Sequence, residues 1–213
     1  MQKIMFNDRF GLTEAVLKGT KTMTRRMVPQ SVLNAVEKYQ GDYYSGALES
    51  ISTKDAILNM CTGEKMFKCI YNIGEVVAVA QSYKDAGIDP HFLMFQPIED
   101  SIYRAEMEIE AMFTGGWNNK MFVRADLMPN QIRITDIKIE RLQDISDEDC
   151  MKEGISKGFE GGFSYEYHDE HGFGYNIFSH ARDAFISLID NVSGKGTWER
   201  NPFVFVYTFK LIK

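Results

Sequence analysis

Nine consecutive residues, Lys18-Gly-Thr-Lys-Thr-Met-Thr-Arg-Arg26, hold four cations and three threonines with no carboxylate. The whole chain is acidic, with 24 Lys and Arg against 30 Asp and Glu. A basic island on an acidic protein marks a place suited to an anionic or oxygen-rich ligand, although a solvated strand edge accounts for the same residue types. Within it, Lys21 is a candidate base, because burial beside Arg25 and Arg26 lowers a lysine pKa. Thr22 and Thr24 are candidate hydroxyls, and a threonine beside a neutral lysine can act as a nucleophile. One geometric objection stands. On a regular strand Lys21 and Thr24 point to opposite faces, so they converge only if the strand bends or ends between them.

Other constellations carry less. His168-Asp-Glu-His171 offers two imidazoles and carboxylates to a metal, but the segment is too glycine-rich to preorganise a site, and the expectation is no metal and no cofactor. Trp117 and Trp198, each near Asn, Lys or Arg, can stack a base; closing the end of a barrel explains each equally well. No GxGxxG, P-loop, HExxH or GxSxG occurs, so dinucleotide, nucleoside-triphosphate, zinc-protease and α/β-hydrolase chemistries lack their mechanical core. Three cysteines without a CxxC pair fit a reducing cytoplasm. The start lacks the apolar run of a signal peptide, and no apolar run reaches membrane-spanning length, so no membrane partner is expected.

The elements that must position these residues follow from periodicity. Residues 3–6 suggest a first strand and 12–18 a short helix stopped by Gly19; the island then alternates as a strand. Ser31 caps a helix with Val32, Leu33 and Val36 inward, and residues 31–67 read as an insertion. Val76 to Ala80 are apolar on both faces, as in a central strand. Residues 103–110 alternate as a half-buried strand, and 121–125 suggest another. In residues 131–142 the isoleucines change parity between Ile134 and Ile137, which calls for a bulge near Thr135-Asp136. Ser146 is an N-cap with Asp149 three residues on, and Gly154 is the stop. That helix leaves Glu153 at its C-terminal turn, where a carboxylate is disfavoured. Glycines and aromatics over 157–176 suggest a loop or lid inserted in the fold. An amphipathic helix over 178–190 and a strongly apolar strand over 202–211 close the chain. Roughly six strands with short helices and no regular βαβ alternation predict an α+β fold built on a small β-barrel, one domain over residues 1–213.

Four segments in order resemble the ASCH domain family. Gly19-Thr-Lys-Thr-Met-Thr-Arg-Arg26 resembles its G-x-K-T-x-T-x-R signature, and Tyr71-Asn-Ile-Gly-Glu-Val-Val77 its Y-x-x-G-[DE] turn and strand. Arg141 to Ile155 resembles its strand-to-helix stretch ending in Glu-Gly. Asn201-Pro-Phe-Val-Phe-Val206 is similar to the N-P-W-V-W-V closing strand of long, phage-associated members, with Phe203 and Phe205 in the Trp positions. The resemblance implies a PUA-like fold with a cleft lined by the K-T-x-T segment, and RNA or modified nucleosides as ligands. It also implies an alternative: some short members are amidohydrolases that deacetylate acetylcytidine with a lysine, a threonine and a glutamate, which match Lys21, Thr24 and Glu153. Three functions are therefore expected in competition. One is an RNA- or nucleoside-binding module in which Lys21, Arg25 and Arg26 meet phosphate. The second is a metal-independent amidohydrolase, and the third a phage-accessory protein without catalysis. The expected oligomeric state is a monomer or weak dimer.

Overall fold

The computed structural model describes residues 1–43, 52–62, 70–88, 115–158 and 161–212. The strand expected over 103–110 lies outside them. The fold is α+β, with two sheets. The larger contains β1 (Gln2–Ile4), β2 (Met23–Met27), β3 (Val76–Val79), β4 (Gln131–Arg141) and β8 (Phe203–Ile212), in the order β1-β3-β4-β8-β2. β1 and β3 are parallel, and the other pairs antiparallel. The smaller contains β5 (Ser156–Lys157), β6 (Phe163–Asp169) and β7 (Gly172–Phe178) in sequence order.

Long central strands and short edges explain the shape. β8 runs antiparallel to β4 from Ile212–Gln131 to Phe203–Arg141 and is buried on both faces, with Phe205, Tyr207 and Phe209 on one and Val204 and Val206 on the other. Burying each such side chain contributes about 1.5–3 kcal/mol, which makes this strand the spine. β4 keeps Ile132, Ile134, Ile137 and Ile139 buried by shifting register between Ile134 and Asp136, as their change of parity requires. β3 is central, as its apolar run implies.

The expected barrel is not closed among the described residues. Its edges, β1 and β2, have three and five residues, too short to form a closing ladder. They meet instead through a side chain: Arg26 Nη2 donates to Met5 O at 2.7 Å.

The helices are α1 (Leu12–Leu17), α2 (Gln30–Tyr43), α3 (Thr53–Thr62), α4 (Tyr83–Ala86), α5 (Asp147–Lys152), α6 (Ala181–Ser193) and α7 (Thr197–Arg200). α2 and α3 fall over the segment read from sequence as an insertion, and Val32, Val36 and Ile57 join the main core. α6 buries Ala181, Ala184, Phe185 and Leu188, whereas Phe178 belongs to β7 and stacks on Tyr165 at 6.0 Å. Among the described residues no helix is long and apolar enough to cross a membrane.

Two further expectations are corrected. Residues 121–125 form no strand; they fall in and between 3-10 turns at Lys120–Phe122 and Ala125–Leu127, the first capped by the Asn119 side chain accepting from Met121 N. The segment expected as a loop over 157–175 is mostly a regular hairpin, β6 and β7 joined at Glu170-His171. Gly174 lies under Tyr167, where a Cβ would come within 2.7 Å of the phenol oxygen. That glycine serves sheet packing, and its presence does not signal a loop.

Candidate functional site

Lys21 is placed by the exit from α1. Gly19 takes φ 75°, the chain reverses, and both Thr20 N and Lys21 N donate to Ala15 O at 2.9 Å. Thr22 N then bonds Lys152 O, Phe209 N bonds Thr22 O, and the ladder of β2 begins at Met23. Lys21 therefore sits in the turn before the strand, and its odd spacing from Thr24 is no bar to sharing a cavity.

Glu153 is placed by the end of α5. Ser146 caps that helix by accepting from Asp149 N, and Glu153 closes it, its N–H bonded to Asp149 O and Cys150 O. Gly154 follows at φ 106°, and a Cβ there would meet Leu12 Cδ2 at 3.1 Å. The glycine lets the turn pack against α1 and the Lys21 stem. The carboxylate disfavoured by the helix dipole has two cations to offset it. Lys21 Nζ donates to Glu153 Oε2 at 2.6 Å and to its carbonyl O at 2.7 Å, while Arg25 Nη1 donates to Oε1 at 2.9 Å.

Arg25 is the hub of a second layer. Its Nε and Nη2 both donate to Glu140 Oε1, at 3.1 and 2.6 Å, and Nη2 also reaches Asp149 Oδ2 at 3.4 Å. Lys138 Nζ bridges Glu140 Oε2 and Asp149 Oδ2 at 2.9 and 3.1 Å, and Lys152 Nζ holds Asp149 Oδ1 at 3.0 Å. The Phe185 ring lies 5.8 Å from the guanidinium carbon. Burial alone would lower the Arg25 pKa, but Glu153 and Glu140 outweigh it and the pKa is raised. This arginine stays charged and fixed.

Lys21 behaves oppositely. Burial pushes its ammonium below the ordinary value; Glu153 opposes that shift, and Arg26 and Arg25 add to it. The burial cost exceeds the attraction of its partner, so Lys21 loses its proton more readily than an exposed lysine.

Lys21, Thr24 and Glu153 line one cavity of about 340 Å³, together with Arg25 and Arg26. Thr24 is 5% exposed, and its hydroxyl makes no hydrogen bond with the described residues. One wall is Phe185, Leu188, Ile189 and Val192 of α6, and the mouth carries the exposed apolar side chains of Met5 and Met27. The site thus has a buried polar base and an apolar rim. Arg26 lies over the Phe6 ring at 5.9 Å and gives Nη2 to Met5 O.

The remaining candidates lie elsewhere. Thr22 does not line the cavity, and its backbone ties β2 to α5 and β8. Trp117 packs on the smaller core cluster of Ala78, Ala80, Tyr83, Val123 and Met128. Trp198 meets Phe185 edge-on at 6.4 Å with Arg182 over its ring, outside the cavity lining. His168 pairs with Glu166 at 2.8 Å, His171 lies at the hairpin tip, and no group of three or more potential metal ligands exists among the described residues.

Sequence reasoning missed Glu140, Lys138 and Lys152 and the role of Asp149. One signal was present: Lys138 and Glu140 have the opposite parity to Ile137 and Ile139, so they share the other face of β4. No family model, curated protein or solved structure matches the chain.

Proposed function

We propose that the chain is an ASCH-type, PUA-like protein whose cavity binds a small, uncharged, amide-bearing molecule of the modified-nucleoside class and hydrolyses the amide. The observation that carries this reading is the meeting, in one cavity, of an ion-paired lysine of lowered pKa and a threonine hydroxyl that has no hydrogen-bond partner among the described residues. In the reaction Lys21 passes a proton to Glu153 Oε2, the atom it already contacts. Neutral Lys21 takes the proton of Thr24 Oγ1, which attacks the amide carbonyl. Protonated Glu153 delivers its proton to the leaving amine, and water then cleaves the acyl-threonine ester. Arg25 keeps Oε1 occupied, so that Oε2 is the oxygen left for proton transfer.

Binding without catalysis is the second reading. It is favoured by one observation: the acceptors of Lys21 Nζ are both on Glu153, and no hydrogen bond joins Lys21 to Thr24. A small ligand suits the site better than a nucleic-acid strand. Phosphate recognition was expected from Lys21, Arg25 and Arg26, and the first two are committed to carboxylates.

Incubation with N4-acetylcytidine, with cytidine release followed chromatographically, tests the proposal. Turnover in the wild type, and none in Thr24→Val or Lys21→Met, is the expected result. Saturable binding of the nucleoside without turnover selects the second reading. Neither binding nor turnover rejects this ligand class and leaves a role without catalysis.

A further inference from the structure

Among the described residues the two sheets end on four edge strands of different character, and β5 is only two residues long. β1 is three residues long, and β2 borders the cavity with Arg25 and Arg26. β7 is seven residues long, carries no charged residue, proline or bulge, and pairs only with β6 among the described residues. It therefore lacks the usual devices that keep a strand edge from pairing. Its side chains compound this. Phe173, Tyr175 and Ile177 share one face and are 69%, 57% and 75% exposed.

The hairpin register fixes which backbone groups are free. Two residues separate Asp169 from Gly172, so these form the last hydrogen-bonded pair, and 167/174 and 165/176 follow by alternation. The N–H and C=O groups of Phe173, Tyr175 and Ile177 consequently point outward from the sheet. Residues 173, 175 and 177 are symmetric about 175, so an antiparallel copy can bond to all three.

We propose that the partner of this edge is a second copy of the chain, in a two-fold dimer centred on Tyr175. Tyr175 meets Tyr175 on the axis, Phe173 of each copy meets Ile177 of the other, and the two hairpin sheets join into one six-stranded sheet. Aromatic and β-branched cross-strand pairs are favourable, and the interface is isologous, as two-fold symmetry requires. Area sets the strength. The three side chains expose about 400 Å² in each copy, against roughly 800 Å² per partner for a stable interface. The dimer is therefore reversible and concentration-dependent.

Sedimentation of the full chain from about 10 µM to about 1 mM reads the association directly. The expected mass rises from 24.4 kDa toward twice that value. Tyr175→Glu sets like charges against each other on the axis and holds the protein at the monomer mass, with an unchanged circular dichroism spectrum. The register has its own test. Phe173→Lys combined with Ile177→Glu places opposite charges across the axis and keeps the dimer, whereas Phe173→Glu with Ile177→Glu abolishes it. A wild-type monomer throughout the range overturns the proposal and leaves the edge to another protein. A dimer indifferent to Tyr175→Glu, or equal behaviour of the two double variants, overturns this interface.

Discussion

Arg25 and Lys21 grip opposite oxygens of one carboxylate, yet their surroundings differ in kind. Around Arg25 every nearby charge has an opposite neighbour: Glu140, Asp149 and Glu153 answer the guanidinium, and Lys138 and Lys152 answer the remaining carboxylate oxygens. Around Lys21 one carboxylate and one carbonyl face a fully buried ammonium, and the Thr24 hydroxyl lining the same cavity has no partner among the described residues. A closed network raises a pKa and fixes geometry; an incomplete one lowers a pKa and leaves a proton movable. The arginine side is built for structure, and the lysine side is the one the proposed chemistry uses.

The comparison breaks most visibly when its hub is removed. Arg25→Met leaves three buried carboxylates short of a partner and should cost about 3–5 kcal/mol in urea unfolding. Lys21→Met leaves Glu153 still held by Arg25, so its cost should be smaller, about 1–3 kcal/mol. Equal losses would show that the two sides do not differ.

Acid sharpens the contrast next. Burial works to raise the Asp149 pKa, but Lys152 and Lys138 outweigh it and hold the carboxylate below its ordinary 3.8. A depressed carboxylate pKa stabilises the fold above the unfolded value and ceases to do so as pH falls through the folded value. Stability measured against pH should therefore decline from about pH 4 downward, and Asp149→Asn should flatten that decline. The smallest structural effect belongs to Thr24→Val. Its hydroxyl has no partner to lose among the described residues, so stability should change by less than about 1 kcal/mol while turnover of the amide substrate disappears.

Much of this was legible in the chain. The register shift in β4, the Ser146 cap and the stop at Gly154 follow from local rules that tertiary packing did not override. Lys21, Thr22 and Thr24 stood out by residue type and Glu153 by position, the ASCH resemblance singled out Thr24, and its parity problem with Lys21 dissolved only with the turn that precedes β2. The Arg25 network could not be read, because its members come from β2, β4 and α5, and nothing local specifies which cation meets which carboxylate. The β6–β7 hairpin was missed for another reason. Phe163, Tyr165 and Tyr167 alternate as a strand does, as do Phe173, Tyr175 and Ile177, but Gly174 suggested a loop where the sheet needs room for the Tyr167 ring.

The central claim, that Lys21 is poised to give up its proton, is open to direct titration by following the Lys21 Cε carbon by NMR as pH rises. The expected midpoint lies below the ordinary 10.5 and rises in Arg26→Gln as one of the repelling charges is removed. A midpoint at or above 10.5 in the wild type would contradict it.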